Sequence, residues 1–369
     1  MTGWGVAAAA AAAGDVWERL MAGEPAAGSF APDDAGEPLP GLGFGEEFRP
    51  HAGIPRNVVH FLDRGSLLAL DAVLRALDSA GLGQGAGDAR RFAVVDGLPY
   101  RAPGQSAMFV PYGHLVARTL GVRGAVVTVA GAEASGMLAL TTAARLIARG
   151  EADVVIAGAA QALQRPLLEH LRAVSAERAL PFDREHAGLV AAEGAAFLVL
   201  ESESHARERG APIRARVAGA AEIFDPAAEP TALPGVNEAG RLLQAVLGAA
   251  GYLQNQVDLF VSCADGRPAM DVADGFGALR TFGRHAYYAD VTAPAGSLGQ
   301  MLAAGGPAAV ALAVEGMVRG EVWPVAGLAT PIEGLELSFV RERKAVALDC
   351  VLVTSLGTGG VGAGVLLTR

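Results

Sequence analysis

The order of short sequence signals in the first half of this 369-residue chain returns in the second half at a nearly constant spacing. Ala80-Gly81-Leu82 returns as Ala250-Gly251-Tyr252, and Arg149-Gly150-Glu151 as Arg319-Gly320-Glu321, both 170 residues on. Val94-Val95-Asp96-Gly97 is matched by Cys263-Ala264-Asp265-Gly266 at 169, and Glu193-Gly194-Ala195-Ala196 by Val361-Gly362-Ala363-Gly364 at 168. One such match means little in a chain rich in Ala and Gly; four in the same order indicate a duplication. The expectation is two similar halves, residues 1–210 and 211–369, joined near Gly210-Ala211-Pro212 and folded as one unit.

Within each half, apolar runs alternate with helical patterns. Leu67, Leu70, Leu74 and Leu77 share one helical face over residues 62–80, with Asp63-Arg64 at the start and Gly81 at the end. Runs at 92–95, 126–129, 154–158 and 197–200 read as strands, and 134–149 as a helix. Alternation of this kind predicts an α/β protein with a mostly parallel sheet covered by helices. A hydrophobic fraction of 51% against 18% charged residues allows a large core. The net charge of −10, with no run of Lys or Arg, argues against nucleic acid and against an anionic membrane surface as partners. Charges and glycines interrupt the apolar stretches before about 20 residues, so no membrane helix is expected. Two cysteines, Cys263 and Cys350, are too few for a disulfide scaffold, and the expected location is the cytoplasm.

Generic motifs contribute little. Gly357-Thr358-Gly359-Gly360-Val361-Gly362 satisfies G-x-G-x-x-G, but an apolar strand follows it where a dinucleotide fingerprint opens a helix. The seven histidines show no H-E-x-x-H spacing and there is no C-x-x-C or G-x-S-x-G, so neither a metal nor a cofactor is expected.

Five longer blocks are more specific. Residues 126–163 (VVTVAGAEASGMLALTTAARLIARGEADVVIAGAAQAL) resemble the nucleophile segment of the β-ketoacyl synthases, a thiolase-fold family. Residues 180–201 (LPFDREHAGLVAAEGAAFLVLE) are similar to its R-P-F-D…G-E-G-A…L-V-L-E block, and 257–271 (VDLFVSCADGRPAMD) to its I-D-Y-V-N-A-H-G-T-G-T-P-L-x-D block. Residues 293–310 resemble K-S-x-x-G-H…A-A-G, and 354–360 resemble N-S-F-G-F-G-G. The resemblance runs in family order from Thr2-Gly3-Trp4-Gly5-Val6 onward. It implies a thiolase-like α/β fold, two duplicated βαβαβ-type halves in α-β-α-β-α layers.

The same resemblance places Glu133 where active members carry the nucleophilic cysteine, Cys263 and Gln300 where they carry two histidines, Ala295 at a lysine and Thr358 at a gating phenylalanine. All five positions are degenerate, so no catalytic residue is assigned. The expected state of Glu133 is a carboxylate held by backbone amides and the dipole of the helix that follows it. Cys263 is expected to be a small buried thiol and Gln300 a hydrogen-bonding filler. The pattern is similar to the chain-length-factor branch, silent homologues that pair with an active ketosynthase; the compact chain favours the reducing, polyene-forming systems over the aromatic kind. That implies an active ketosynthase as heterodimer partner and an acyl carrier protein reached through the complex. Phe109, Val110, Tyr112, Gly113 and His114 align with the family's dimer-crossing, tunnel-lining segment, and Val127 and Val129 lie on its dimer-edge strand. Ordinary core and interface packing is the competing account of the first five. Two other functions stay open: a self-sufficient decarboxylase or hydrolase using Glu133, and a homodimeric acyl-binding module.

Overall fold

A computed structural model describes residues 1–11, 15–32, 37–44, 48–83, 88–101 and 111–369. The first half contains β1 (Gly3–Ala8), α1 (Arg64–Ala80), β2 (Phe92–Gly97), α2 (Tyr112–Leu120), β3 (Val126–Val129), α3 (Ser135–Ala148), β4 (Val154–Gln161) and β5 (Gly194–Glu201). The second contains β6 (Arg216–Phe224), α4 (Val236–Ala250), β7 (Leu259–Val261), α5 (Pro268–Phe282), β8 (Asp290–Thr292), α6 (Gly305–Arg319), β9 (Cys350–Gly357) and β10 (Val361–Thr368). Local chemistry sets the helix ends. Asp63 accepts a hydrogen bond from the Ser66 amide at 2.7 Å at the start of α1, and Gly81 closes it at φ 62°. Gly251 closes α4 in the same left-handed conformation, at φ 70°.

The two large sheets have matching strand orders. The first has strand order β1-β5-β4-β2-β3, and the second β6-β10-β9-β7-β8 with the short strand Ser338–Phe339 beyond β8. Each strand of one sheet thus has a counterpart at the same place in the other. The pairing directions match too: β2 is parallel to β3 and β4, as β7 is to β8 and β9. β5 is antiparallel to β1 and β4, as β10 is to β6 and β9. The mostly parallel sheet read from the alternation is therefore corrected to a mixed one. β10 follows β9 through a tight hairpin, and β5 follows β4 after a link that holds the short helix Arg165–Leu171; each slots in antiparallel to the strand before it.

Helices α1 and α2 cover the outer face of the first sheet, and α4 that of the second, with α5 packed against α4 and meeting Phe260 of β7 through Phe282. Between the sheets lie α3 and α6; α3 touches β2 and β4 on one side and β6 and β10 on the other. The result is the expected α-β-α-β-α layering. Buried on two sides, α6 is apolar nearly all round, with every residue from Gly306 to Val314 buried. The stretch Leu302–Arg319 is long and apolar enough to match a membrane span by composition, but 78% of it is buried in the core. A charge at Val310 or Val314, both fully buried, would break this layer.

Among the described residues, β3 ends the first sheet and has β2 as its one strand neighbour. All four of its residues are half-buried, with Val127 and Val129 packed against the central core. Phe109 and Val110 lie outside the described residues.

Candidate functional site

Both halves turn from a strand region into a middle-layer helix through the same backbone device. Ala132 takes φ 51° and Leu302 φ 48°, left-handed values that L-residues seldom adopt, 170 positions apart. Each opens a single turn of 3-10 helix, Ala132–Ala134 before α3 and Leu302–Ala304 before α6. The first elbow is braced by Ser135, whose Oγ accepts from the Gly131 amide at 2.9 Å and donates to the Ala132 carbonyl at 2.8 Å. The two elbows meet so closely that a Cβ on Gly136 would lie 2.3 Å from the Ala303 carbonyl oxygen. Gly357 brings the β9–β10 hairpin equally near: its Cβ would lie 2.4 Å from the Gly131 carbonyl oxygen.

This packing delivers Glu133 into the contact between halves, where it is 2% exposed. Its Oε1 accepts from Arg267 Nη1 at 2.9 Å; its Oε2 accepts from the Thr358 amide at 2.8 Å and the Thr358 hydroxyl at 3.1 Å. The expected capture by backbone amides and the local helix dipole is corrected accordingly. One amide contributes, from the hairpin of the other half, and the main partner is a guanidinium. Arg267 in turn grips Asp265, through Nη2 to Oδ2 at 2.8 Å and through Nε to Oδ2 at 3.0 Å and Oδ1 at 3.1 Å. Burial alone would lower the Arg267 pKa, but the Asp265 and Glu133 carboxylates outweigh it and hold it above its ordinary value. Gln300 completes the set. Its Nε2 donates to Asp265 Oδ2 at 2.8 Å, and its Oε1 accepts from the Leu302 amide at 3.0 Å.

A second carboxylate fixes the loop that presents Asp265 and Arg267. Asp271, on the first turn of α5, accepts from the amides of Asp265 and Gly266, both at 3.1 Å, and pairs with His186 Nδ1 at 2.9 Å. A third, Asp274, accepts from the Ser262 hydroxyl, the Cys263 amide at 3.1 Å and the Thr354 hydroxyl at 3.1 Å. Cys263 packs its Sγ 3.6 Å from Met270 Sδ. Burial, and then the charge of Asp274, push its thiol well above the ordinary range, which removes the thiolate that a nucleophile needs.

Glu133, Cys263, Ala295 and Gln300 line one cavity of about 30 Å³, and Thr358 sits on the Glu133 carboxylate. The five degenerate positions therefore converge on one place. Room for no more than a few water molecules does not admit an acyl chain. Tyr112 is buried in the chain's own core, its hydroxyl so near Gly65 that a Cβ there would lie 1.7 Å from it. Gly113 is buried against Asp96, and His114 is exposed. Tyr112, Gly113, His114, Val127 and Val129 thus lie away from the cavity lining. Asp265 and Arg267 were missed as site residues. The available signal was a pair of charges two apart, just beyond the apolar run 259–261, where the family block reads T-G-T. Gly357–Gly362 forms the turn between β9 and β10 and opens no helix, in line with its rejection as a nucleotide loop.

Residues 2–206 match the model of the family described as β-ketoacyl synthase, N-terminal domain. The chain belongs to the β-ketoacyl synthase family. A curated β-ketoacyl synthase relative, the 3-oxoacyl-[acyl-carrier-protein] synthase 2 of Coxiella burnetii, is 26% identical over 96% of this chain and 94% of its own length. Nodulation protein E of Rhizobium meliloti is 31% identical over 85% of this chain and 84% of its own. A crystal structure of a β-ketoacyl synthase from Burkholderia phymatum superposes with a TM-score of 0.85 at 25% identity, covering all of this chain and 98% of that one. The ishigamide ketosynthase/chain length factor gives 0.86 at 23% identity with the same coverage, a likeness of fold. Against that family, the chemistry of this chain's site is what departs: a closed charge network stands where the synthase block reads cysteine and histidines.

Proposed function

We propose that the chain is a non-catalytic, chain-length-factor-like partner of an active ketosynthase, helping to shape the acyl tunnel in which a carrier-protein-bound polyketide or polyene chain grows. The observation that carries this reading is the state of the three reactive positions. Glu133 has both carboxylate oxygens engaged, Cys263 holds a strongly protonated thiol, and Gln300 is tied to Asp265 and to the Leu302 amide. A general base needs a free lone pair within reach of its substrate, and a covalent catalyst needs an exposed nucleophile. Neither requirement is met, which also counts against a decarboxylase or hydrolase that works through Glu133. Among the described residues β3 has a strand neighbour on one side only; that edge and the exposed His114 support a partner on this face, because an open strand edge invites pairing with another chain. The ishigamide ketosynthase/chain length factor supports the reading at the level of fold. The location that goes with it is the cytoplasm.

The test is reconstitution. Incubated alone with acyl- and malonyl-carrier protein, the purified protein is expected to gain no acyl mass and release no CO2. Produced with an intact Cys-His-His ketosynthase, it is expected to form a 1:1 complex by light scattering. An acyl adduct on Glu133, or a stable monomer indifferent to every ketosynthase offered, would overturn the proposal.

A further inference from the structure

Arg267 occupies an unfavourable place for a cation. It is the N-cap of α5, a 15-residue helix, with no side-chain capping hydrogen bond and Pro268 following. A helix N-terminus carries partial positive charge and prefers a short acceptor side chain such as Ser, Thr, Asp or Asn. What holds Arg267 there is the pair of carboxylates: Asp265 from its own loop and Glu133 from the other half, 134 residues away. Its guanidinium is nearly sealed from solvent, with 7% side-chain exposure, and so are Glu133 at 2% and Asp265 at 0%. The cavity beside them has the walls of an apolar pocket, including Leu298, Met301, Leu302, Ala308 and Leu356, yet encloses only about 30 Å³. Apolar walls around room for only a few water molecules, with a bridged ion triad at one end, describe a pocket that is narrowed, not one that is missing.

We propose that Arg267 is the residue that denies acyl groups this pocket, by clamping Glu133 of the first half to Asp265 of the second. The clamp draws the Thr358 hairpin in as well, since the Thr358 amide and hydroxyl share the Glu133 carboxylate. Loss of the cation leaves two carboxylates at close quarters, and they separate by mutual repulsion. The pocket then opens along the contact between the halves. The inference does not depend on the partner reading: a closed pocket with no ketosynthase partner, or an open one with a partner, separates the two.

The native cysteines provide the assay. Cys263 lines the cavity, whereas Cys350 is a buried thiol at the start of β9 and reports unfolding. Both are followed by mass spectrometry during alkylation with N-ethylmaleimide at fixed pH, in the wild type and in Arg267→Ala. The expected result is slow labelling of both thiols in the wild type, and a rise of at least tenfold at Cys263 alone in the variant. Rapid labelling of Cys263 in the wild type would overturn the proposal, as would an unchanged Cys263 rate in a folded Arg267→Ala. If Cys350 becomes labelled in step with Cys263, the variant has unfolded, and the triple variant Glu133→Gln, Asp265→Asn, Arg267→Gln replaces it with the charges removed together. Cys263 labelling in that protein is expected to stay within threefold of wild type if packing alone closes the pocket, which refutes the clamp, and to rise at least tenfold if the ion triad does. Amide exchange in the wild type gives a second reading. The Thr358 amide, at a hairpin tip, is expected to exchange at least 100-fold slower than its intrinsic rate, and exchange at the intrinsic rate would refute the clamp.

Discussion

The two elbows of this molecule share a backbone and differ in what they carry. Ala132 and Leu302 adopt nearly the same left-handed φ, each opens one turn of 3-10 helix, and each leads into a helix of the middle layer. The next residue is Glu133 in one elbow and Ala303 in the other, both almost wholly buried. Glu133 pulls a charge network across the interface of the halves; Ala303 does nothing beyond filling space and offering its carbonyl face to Gly136. Backbone geometry at such a turn is set by close approach between elements, so it survives whatever the side chain does. The chemistry is set by one side chain and by partners from the opposite half. A family fold can thus be kept intact while its reactive centre is rewritten.

The comparison can be broken most forcefully at Arg267. Arg267→Met leaves Glu133 and Asp265 buried without their cation, with an expected loss of about 3–5 kcal/mol in urea unfolding. Glu133→Gln keeps the Thr358 contacts and leaves Arg267 its Asp265 partner, so its expected cost is about 1–2 kcal/mol. A cost near zero for Glu133→Gln beside the full cost for Arg267→Met would show that Arg267 and Asp265 are a self-contained pair and that Glu133 is incidental.

A smaller effect, of opposite sign in the two elbows, is expected from glycine. Ala132→Gly relieves a left-handed alanine and loses only a methyl group, for a gain of up to about 1 kcal/mol after the added freedom of the unfolded chain. Leu302→Gly relieves the same strain but empties a fully buried leucine site, for a loss of about 3 kcal/mol. Thermal midpoints of the two variants would show whether the elbows are strained alike; a loss at Ala132 would mean that its φ carries no strain.

The smallest expected effect lies in pH dependence. Each half buries a carboxyl whose pKa is raised by burial, Asp96 at the end of β2 and Asp274 in α5. A group raised in the folded state binds more protons there than in the unfolded chain. Stability is therefore full below the ordinary carboxylate pKa and declines as pH rises through the raised one. Asp274 is met by Ser262, Thr354 and the Cys263 amide. Asp96 accepts from the Thr128 hydroxyl at 2.7 Å, while its Oδ2 has no hydrogen-bond partner among the described residues. Asp96→Asn is expected to flatten the decline at a cost within about 1 kcal/mol, whereas Asp274→Asn also sacrifices acceptor capacity and costs about 1–2 kcal/mol. Urea midpoints between pH 4 and 8 would distinguish them, and an unchanged slope for Asp96→Asn would show that Asp96 is ionised throughout.

The sequence alone determined the repeat, the helix ends, the strand-forming runs and the five places where family chemistry is lost, because each is a short-range property. Gly81 ends a helix because its own φ is left-handed, and the short apolar runs 92–95 and 154–158, bounded by Gly and charged residues, form strands. Even the convergence of Glu133, Cys263, Ala295 and Gln300 on one cavity was legible, through blocks whose order implied a known fold. Three things were decided only by the tertiary structure. The direction of β5 and β10 depends on how a strand returns to a sheet already formed, so alternation along the chain misjudged it. The burial of Tyr112 depends on α1 arriving over it at Gly65. The partner of Glu133 lies 134 residues along the chain, in a loop whose own helix would sooner have an acceptor there. Charge pairing acts over a few ångströms of space and is blind to sequence distance, so only the folded arrangement of the two halves could bring Arg267 and Glu133 together.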